Sequence, residues 1–258
     1  MIINADAGPM SGRMDGWGMG MQLGGLGALG VVAGVLTTVA GMGGGMLLVA
    51  VLVALRGPHL ALAITTPALF ASNGHRAWLF RRVLSFRIAG AFAVGAVPSA
   101  ALVGYFVPTL PGWTLAVILV FASLLTLARS AGLIDLRPKR TAIAAVGAGI
   151  GALVATAGGA GALTSPLFLA AGLSGATYIG TVALAAVALH AGRLVGYGSG
   201  GMLHAELAPA MLVLLAGLVV GNLVGKHLRS KVDAELEKRV EIGALLLCTA
   251  LAVVGIGR

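Results

Sequence analysis

Apolar residues in this chain come in long runs separated by short polar segments. The runs lie at about 21–56, 60–80, 88–107, 113–128, 141–173, 176–197, 207–225 and 242–257. A helix that crosses a bilayer needs about 20 such residues. Six runs have roughly that length, whereas the first and fifth are longer. Both long runs are interrupted by glycine, GMGGG at Gly41 to Gly45 and GGAG at Gly158 to Gly161. Each glycine costs about 1 kcal/mol relative to alanine inside a helix, so each long run predicts two helical pieces joined by non-helical backbone. The pattern predicts an all-α fold.

Composition places that fold in lipid. Hydrophobic residues make up 59% of the chain and charged residues 10%, against about 25% charged in a soluble domain. Too little polar surface remains to cover a soluble core, so the lipid bilayer is the expected solvent. The single cysteine, Cys248, excludes an intramolecular disulfide framework and reads as a small hydrophobe. The net charge of +9 resides in short loops, which argues against nucleic acid as a partner. Residues 1–21 have no basic stretch ahead of an apolar core, so they are expected to be a loose N-terminal segment, not a cleaved signal.

The positions of those charges predict topology. Thirteen of the 17 Lys and Arg fall in three segments, 76–87, 129–140 and 226–241. Short loops rich in Lys and Arg stay cytoplasmic. The connections near 107–113 and 198–206 carry no Lys or Arg and should face outward with both termini. The third basic segment reaches the cytoplasmic side only if the broken run at 141–173 makes an even number of crossings. The glycine clusters should therefore be chain reversals, each forming a helical hairpin.

Two halves are visible. At an offset of 117, Gly30, Gly34, Gly41 and Gly44 match Gly147, Gly151, Gly158 and Gly161. At an offset of 115, Thr66, Ala68, Leu69, Ala71, His75 and Leu79 match Thr181, Ala183, Leu184, Ala186, His190 and Leu194. The loop after the His-bearing run is basic in the first half and nearly uncharged in the second, and the next loop shows the reverse. Equivalent loops then face opposite sides. The expected fold is an all-α integral membrane protein of two inverted-topology repeats, 22–130 and 141–258, joined by a basic linker at 131–140. Each repeat would hold a glycine-broken helical hairpin and three ordinary transmembrane helices. Such repeats bind substrate near the midplane, where discontinuous helices meet.

The glycine breaks are the first candidates for binding. Gly41, Gly43, Gly44 and Gly45 could expose backbone N–H groups at the start of the following helix, as could Gly158, Gly159 and Gly161 ahead of Thr164 and Ser165. A helix N-terminus offers unpaired donors and a positive dipole end to an anion. Glycines at helical spacing also allow close helix packing in lipid, the reading preferred for Gly217, Gly221 and Gly225. Thr38, Thr66 and Thr181 are candidate polar contacts, with bonding to their own helix backbone as the alternative, whereas Asn73 cannot hide its amide so easily and is expected to face a cavity or another helix. His75, His190 and Arg193 are ionisable residues within or near the apolar runs, and such residues are functional by default, with a place near the interface and a snorkelling arginine as the alternative. Arg76 reads instead as an arginine snorkelling toward the interface.

All eight Asp and Glu lie outside the apolar cores. A cation pump or a carboxylate proton relay would place one inside. Anions or neutral solutes therefore fit better than a cation; an anion, suited to the helix ends at the glycine breaks, is the first reading, a neutral or zwitterionic solute the second, and a non-transporting scaffold the third. Neither a metal constellation nor a nucleophile–base pattern is visible, so no enzyme activity, metal or cofactor is expected. The partners are then a small anion and the bilayer, with the chain acting as a monomer or a homodimer.

The glycine motif of Gly34 with Gly41 to Gly45, the Thr-bearing second run and the basic loop before the third are repeated weakly after the basic linker. This arrangement resembles the sulfite exporter TauE/SafE family. The resemblance implies a bacterial inner-membrane permease, with sulfite or an organosulfonate as the anion and export as the direction.

Overall fold

The computed structural model describes residues 16–39, 43–130, 133, 142–159, 164, 167–232 and 234–255. All regular structure among them is helical. In order, the helices are α1 (Gly16–Val39), α2 (Gly44–Arg56), α3 (Pro58–Leu79), α4 (Phe86–Phe106), α5 (Gly112–Ser130), α6 (Ile143–Ala157), α7 (Gly175–Ser199), α8 (Ala208–Leu228) and α9 (Ala234–Gly255). Residues 167–170 form a further helical turn between α6 and α7. The last part of the expected loose segment 1–21 is helical, because α1 begins at Gly16. The linker 131–140 lies outside the described residues except for Leu133.

Both long runs break where glycine predicts. Gly43 precedes α2 at φ 88°, and α6 ends at Gly158 and Gly159 with φ 71° and 72°. These values lie in the left-handed region, where only glycine is at ease. Among the described residues, four stretches are long and apolar enough to cross a membrane: Gln22–Val39, Phe86–Thr109, Gly175–Ser199 and Ala205–Leu228. Helix α3 is long but carries Thr65, Thr66, Ser72, Asn73 and Arg76, all buried. It sits among other helices, where lipid does not select against polar side chains. Helix α2 has 13 residues and α6 has 15, about 20 and 22 Å at a rise of about 1.5 Å per residue. Neither is long enough by itself to cross about 30 Å of hydrocarbon.

The packing fixes the directions of the helices. Arg56, closing α2, donates to Gln22 near the start of α1, so these two helices are antiparallel and form a hairpin. Along α1 and α8, Gly30 faces Leu214 and Gly34 faces Leu218, so numbering rises together and the helices are parallel. Along α4 and α6, Gly147 faces Phe92 and Gly151 faces Ala96, again parallel. Helix α7 also runs parallel to α4, with Gly192 against Val97 and Gly196 against Ala101. Helices α6 and α7 therefore point the same way.

These interfaces depend on missing side chains. A methyl group on Gly34 would sit 2.5 Å from the Leu218 carbonyl oxygen, and one on Gly217 would sit 2.2 Å from that of Gly27. Gly221 and Gly225 likewise meet the backbone of α1, so the packing reading holds for this group. Small residues let backbones approach closely where lipid provides no hydrophobic drive.

The outer surface suits a bilayer. Val94, Leu102, Val117, Phe121 and Leu124 are exposed along α4 and α5. Trp78 and Phe86 are exposed near one end of the bundle, and Tyr105, Phe106 and Trp113 near the other. Aromatic side chains at both ends of an apolar band match the two interfaces of a membrane.

Candidate functional site

The two glycine breaks, far apart in sequence, meet in the interior. A methyl group on Gly159 would lie 2.8 Å from Met46 Cβ, and one on Gly158 would lie 2.6 Å from a Val49 methyl carbon. Met46 and Val49 belong to the first turns of α2, so the second break seats on the helix that the first break starts. Gly45 faces Leu69 of α3 and, at 4.0 Å, the Cα of Gly159. A side chain on Gly44 would collide with the Ala33 carbonyl and the Thr37 hydroxyl, each 2.1 Å away. Gly44 therefore serves the α1–α2 hairpin, whereas Gly45, Gly158 and Gly159 serve the junction between breaks. The first N–H groups of α2 have no acceptor within their own helix. Gly41, Gly161 and Ser165 lie outside the described residues, and Thr164 is fully buried.

Beside this junction lies a buried cationic cluster. Arg193 is the largest side chain with no exposure at all. It donates from Nε (3.2 Å) and Nη2 (2.9 Å) to the Tyr197 hydroxyl. Its Nη1 lies 3.1 Å from His190 Nδ1. Tyr197 in turn donates to the Ala155 carbonyl near the end of α6, with the Thr66 hydroxyl beside it. His190, Arg193 and Tyr197 share one face of α7 because they stand about one helical turn apart.

Arg76 approaches from α3. It is 2% exposed, so it does not snorkel. Its Nη1 donates to the Thr37 carbonyl (3.0 Å) and its Nη2 to Asn73 Oδ1 (2.7 Å). Its Nε is buried with no partner. Asn73 itself donates to the Leu69 carbonyl. Arg76 lies within electrostatic reach of His190, so both arginines act on one region.

Each arginine also engages the last turn of a broken helix. Arg76 reaches α1 directly, and Arg193 reaches α6 through Tyr197. A third cation, Arg229, donates to the Val39 carbonyl at the end of α1 at 2.6 Å. Unpaired carbonyls and the negative dipole end attract such groups. The dipoles compensate only part of a guanidinium's charge, and no carboxylate lies in helices α1 to α8. Burying an ion without a counter-ion costs several kcal/mol, so the cluster is an incompletely neutralised positive centre inside the bundle.

Other predicted residues have different surroundings. Thr38 donates to Asn222 Oδ1 (2.9 Å), and Asn222 donates to the Ser72 hydroxyl (3.0 Å), linking α1, α8 and α3. Thr66 donates to its own Leu62 carbonyl, the backbone-bonding alternative. Thr181 lies at the α3–α4 loop, accepting from Ser85 N (2.9 Å) and donating to the Thr177 carbonyl. His75 stacks on Trp78 with ring centroids 6.4 Å apart, and its buried Nδ1 has no partner. Arg76, Tyr197 and Asn222 were absent from the expected set. An amide within an apolar run was a usable signal for Asn222. Arg76 and Tyr197 become visible only once the helix ends are placed.

No curated protein and no solved structure gives a significant match to the chain. The family described as "Sulfite exporter TauE/SafE" matches residues 26–253, nearly the whole helical bundle described above. Multiple apolar helices meeting at glycine breaks, with that match, make this a multi-pass membrane protein of the permease type. The chain belongs to the sulfite exporter TauE/SafE family.

Proposed function

We propose that this protein is a secondary transporter of a small sulfur-containing anion, such as sulfite or an organosulfonate. The anion would bind where the glycine breaks meet, between Arg76 and Arg193. The observation that carries this reading is the pair of buried arginines among helices α1 to α8, which carry no carboxylate. A neutral solute would leave that charge uncompensated. A zwitterion would bring an ammonium group for which α1 to α8 offer no acid. Backbone N–H groups at the start of α2 would add donors.

Alternating access would follow from two inverted repeats, 22–130 and 141–258. The packing supports that arrangement through exchanged pairs. Helix α1 lies on α8, and α6, its counterpart in the second half, lies on α4, the counterpart of α8. Within these pairs Gly30 and Gly34 meet Leu214 and Leu218, as Gly147 and Gly151 meet Phe92 and Ala96. The matched glycines thus fill matched roles, and the two pairs run in opposite directions. Rocking one repeat against the other would open the site to each side in turn. The basic segments 76–87, 129–140 and 226–241 would face the cytoplasm of a bacterial inner membrane, with export as the direction.

Flux of sulfite and of methanesulfonate into proteoliposomes tests this directly. The unmutated protein should carry at least one of them, and Arg193→Gln and Gly44→Leu should abolish the flux. Absence of anion-dependent flux or binding in the unmutated protein would sink the reading.

A further inference from the structure

The contact between Arg193 and His190 assigns a proton. A guanidinium has donors only, so at 3.1 Å from Arg193 Nη1 the His190 Nδ1 must be the acceptor. The imidazole is then neutral, with its proton on Nε2. His190 is 1% exposed, so no water shell competes for this lone pair. The titratable or charged groups facing it are few. Helix α7 itself carries Arg193, Tyr197 and, nearer its start, Tyr178. Helix α3 carries His59, His75 and Arg76, of which Arg76 is within electrostatic reach. Helix α4 has only Arg87 and Tyr105, near its two ends, and α6 has no titratable residue, meeting the cluster through the Ala155 carbonyl. No acid is among them.

With the site empty, a proton on Nδ1 would displace the Arg193 hydrogen bond and add a third positive charge beside two arginines. An anion reverses both effects. Drawing Arg193 Nη1 toward itself, it frees the Nδ1 lone pair, and its negative charge offsets the added proton. We propose that His190 is the coupling group of this transporter, so that the anion and one proton bind together and are carried together. This rests on the anion-site reading above. In the binding step the Nη1–H···Nδ1 hydrogen bond breaks and an N–H bond forms at Nδ1 with a proton from the solvent. The same proton leaves when the site opens to the other side and the anion departs. No electron transfer and no co-reactant are involved. By linkage, the proton must tighten anion binding by the factor with which the anion tightens proton binding.

The test uses the purified full chain in detergent, with sulfate and methanesulfonate as probes. Their charge is constant over the range of about pH 5 to 8 in which histidine titrates, whereas that of sulfite is not. In weakly buffered solution with an indicator dye, adding either probe should take up close to one proton per anion bound. The dissociation constant should fall by up to about tenfold per unit decrease in pH within that range. His190→Gln should bind without proton uptake and with a flat pH profile. His204→Gln, exposed in the loop after α7, should behave as the unmutated protein does. Binding by the unmutated protein without proton uptake would overturn the coupling and leave the anion site standing. Failure of both probes to bind would overturn the site and the coupling with it. If His190→Gln does not fold, the proton count of the unmutated protein decides alone.

Discussion

Replacing Tyr197 by phenylalanine separates the stability of the empty cluster from its affinity for an anion. The hydroxyl donates its one proton to the Ala155 carbonyl and accepts from Arg193 Nε and Nη2. Phenylalanine keeps the ring, with Arg193 still 5.1 Å above its centroid, and removes all three hydrogen bonds. An unpaired buried carbonyl costs about 1–3 kcal/mol, and lost hydrogen bonds to a charged group about 1.5–3 kcal/mol. The variant should therefore be destabilised by about 2–5 kcal/mol without ligand, seen as a lower thermal unfolding midpoint in detergent. Sulfate should act in the opposite sense. With Tyr197 gone, two donors of Arg193 have no competing acceptor, so binding should tighten by about tenfold, worth about 1.4 kcal/mol. Titration calorimetry and sulfate-dependent unfolding measure the two effects separately. A variant that unfolds earlier and also binds sulfate more weakly would refute the view that Tyr197 holds Arg193 away from substrate. Unchanged stability would refute the assigned hydrogen bonds.

Other perturbations address other parts of the framework. Gly159→Ala places a methyl group at φ 72°, 2.8 Å from Met46 Cβ. Backbone strain of about 1–3 kcal/mol adds to overpacking of about 1–3 kcal/mol, so both unfolding temperature and flux should fall; normal flux would mean that the breaks do not meet. Gly217→Ala drives a methyl group to 2.2 Å from the Gly27 carbonyl, whereas Gly149→Ala enters open space. The first should destabilise the detergent-solubilised protein, and the second should be neutral or stabilise by up to about 1 kcal/mol. Asn222→Leu strands the Thr38 and Ser72 hydroxyls at a cost of about 1–3 kcal/mol. Adding Thr38→Val and Ser72→Ala should recover part of the loss, and strict additivity in that cycle would deny the network.

Much of the helical framework was legible because it depends on local terms. Gly43, Gly158 and Gly159 break helices through their own backbone energetics, and each run of apolar residues reports its own preference for lipid. The shared direction of α6 and α7 was legible for a less local reason: basic loops keep to one side of a membrane. Arg76 was not legible. An arginine close to a helix end snorkels when the neighbouring space is open, and here α1 ends in that space with unpaired carbonyls. Thr181 was misleading for the converse reason. Its match to Thr66 is real in register, but the α3–α4 loop supplies Ser85 N, so the hydroxyl is engaged at the edge of the bundle.

Composition, run length and charge placement by themselves determined that this chain lives in a membrane, where it breaks and where it must turn back. Those properties are sums over neighbouring residues and need no knowledge of what lies across the bundle. Only the tertiary structure decided that the two breaks touch through Gly45, Gly159 and Met46, and that Arg76 and Arg193 both act on His190. Contacts between residues more than a hundred positions apart depend on which helix faces pair. In lipid those faces are chosen by close fit of glycine against backbone, which one-dimensional hydropathy does not encode.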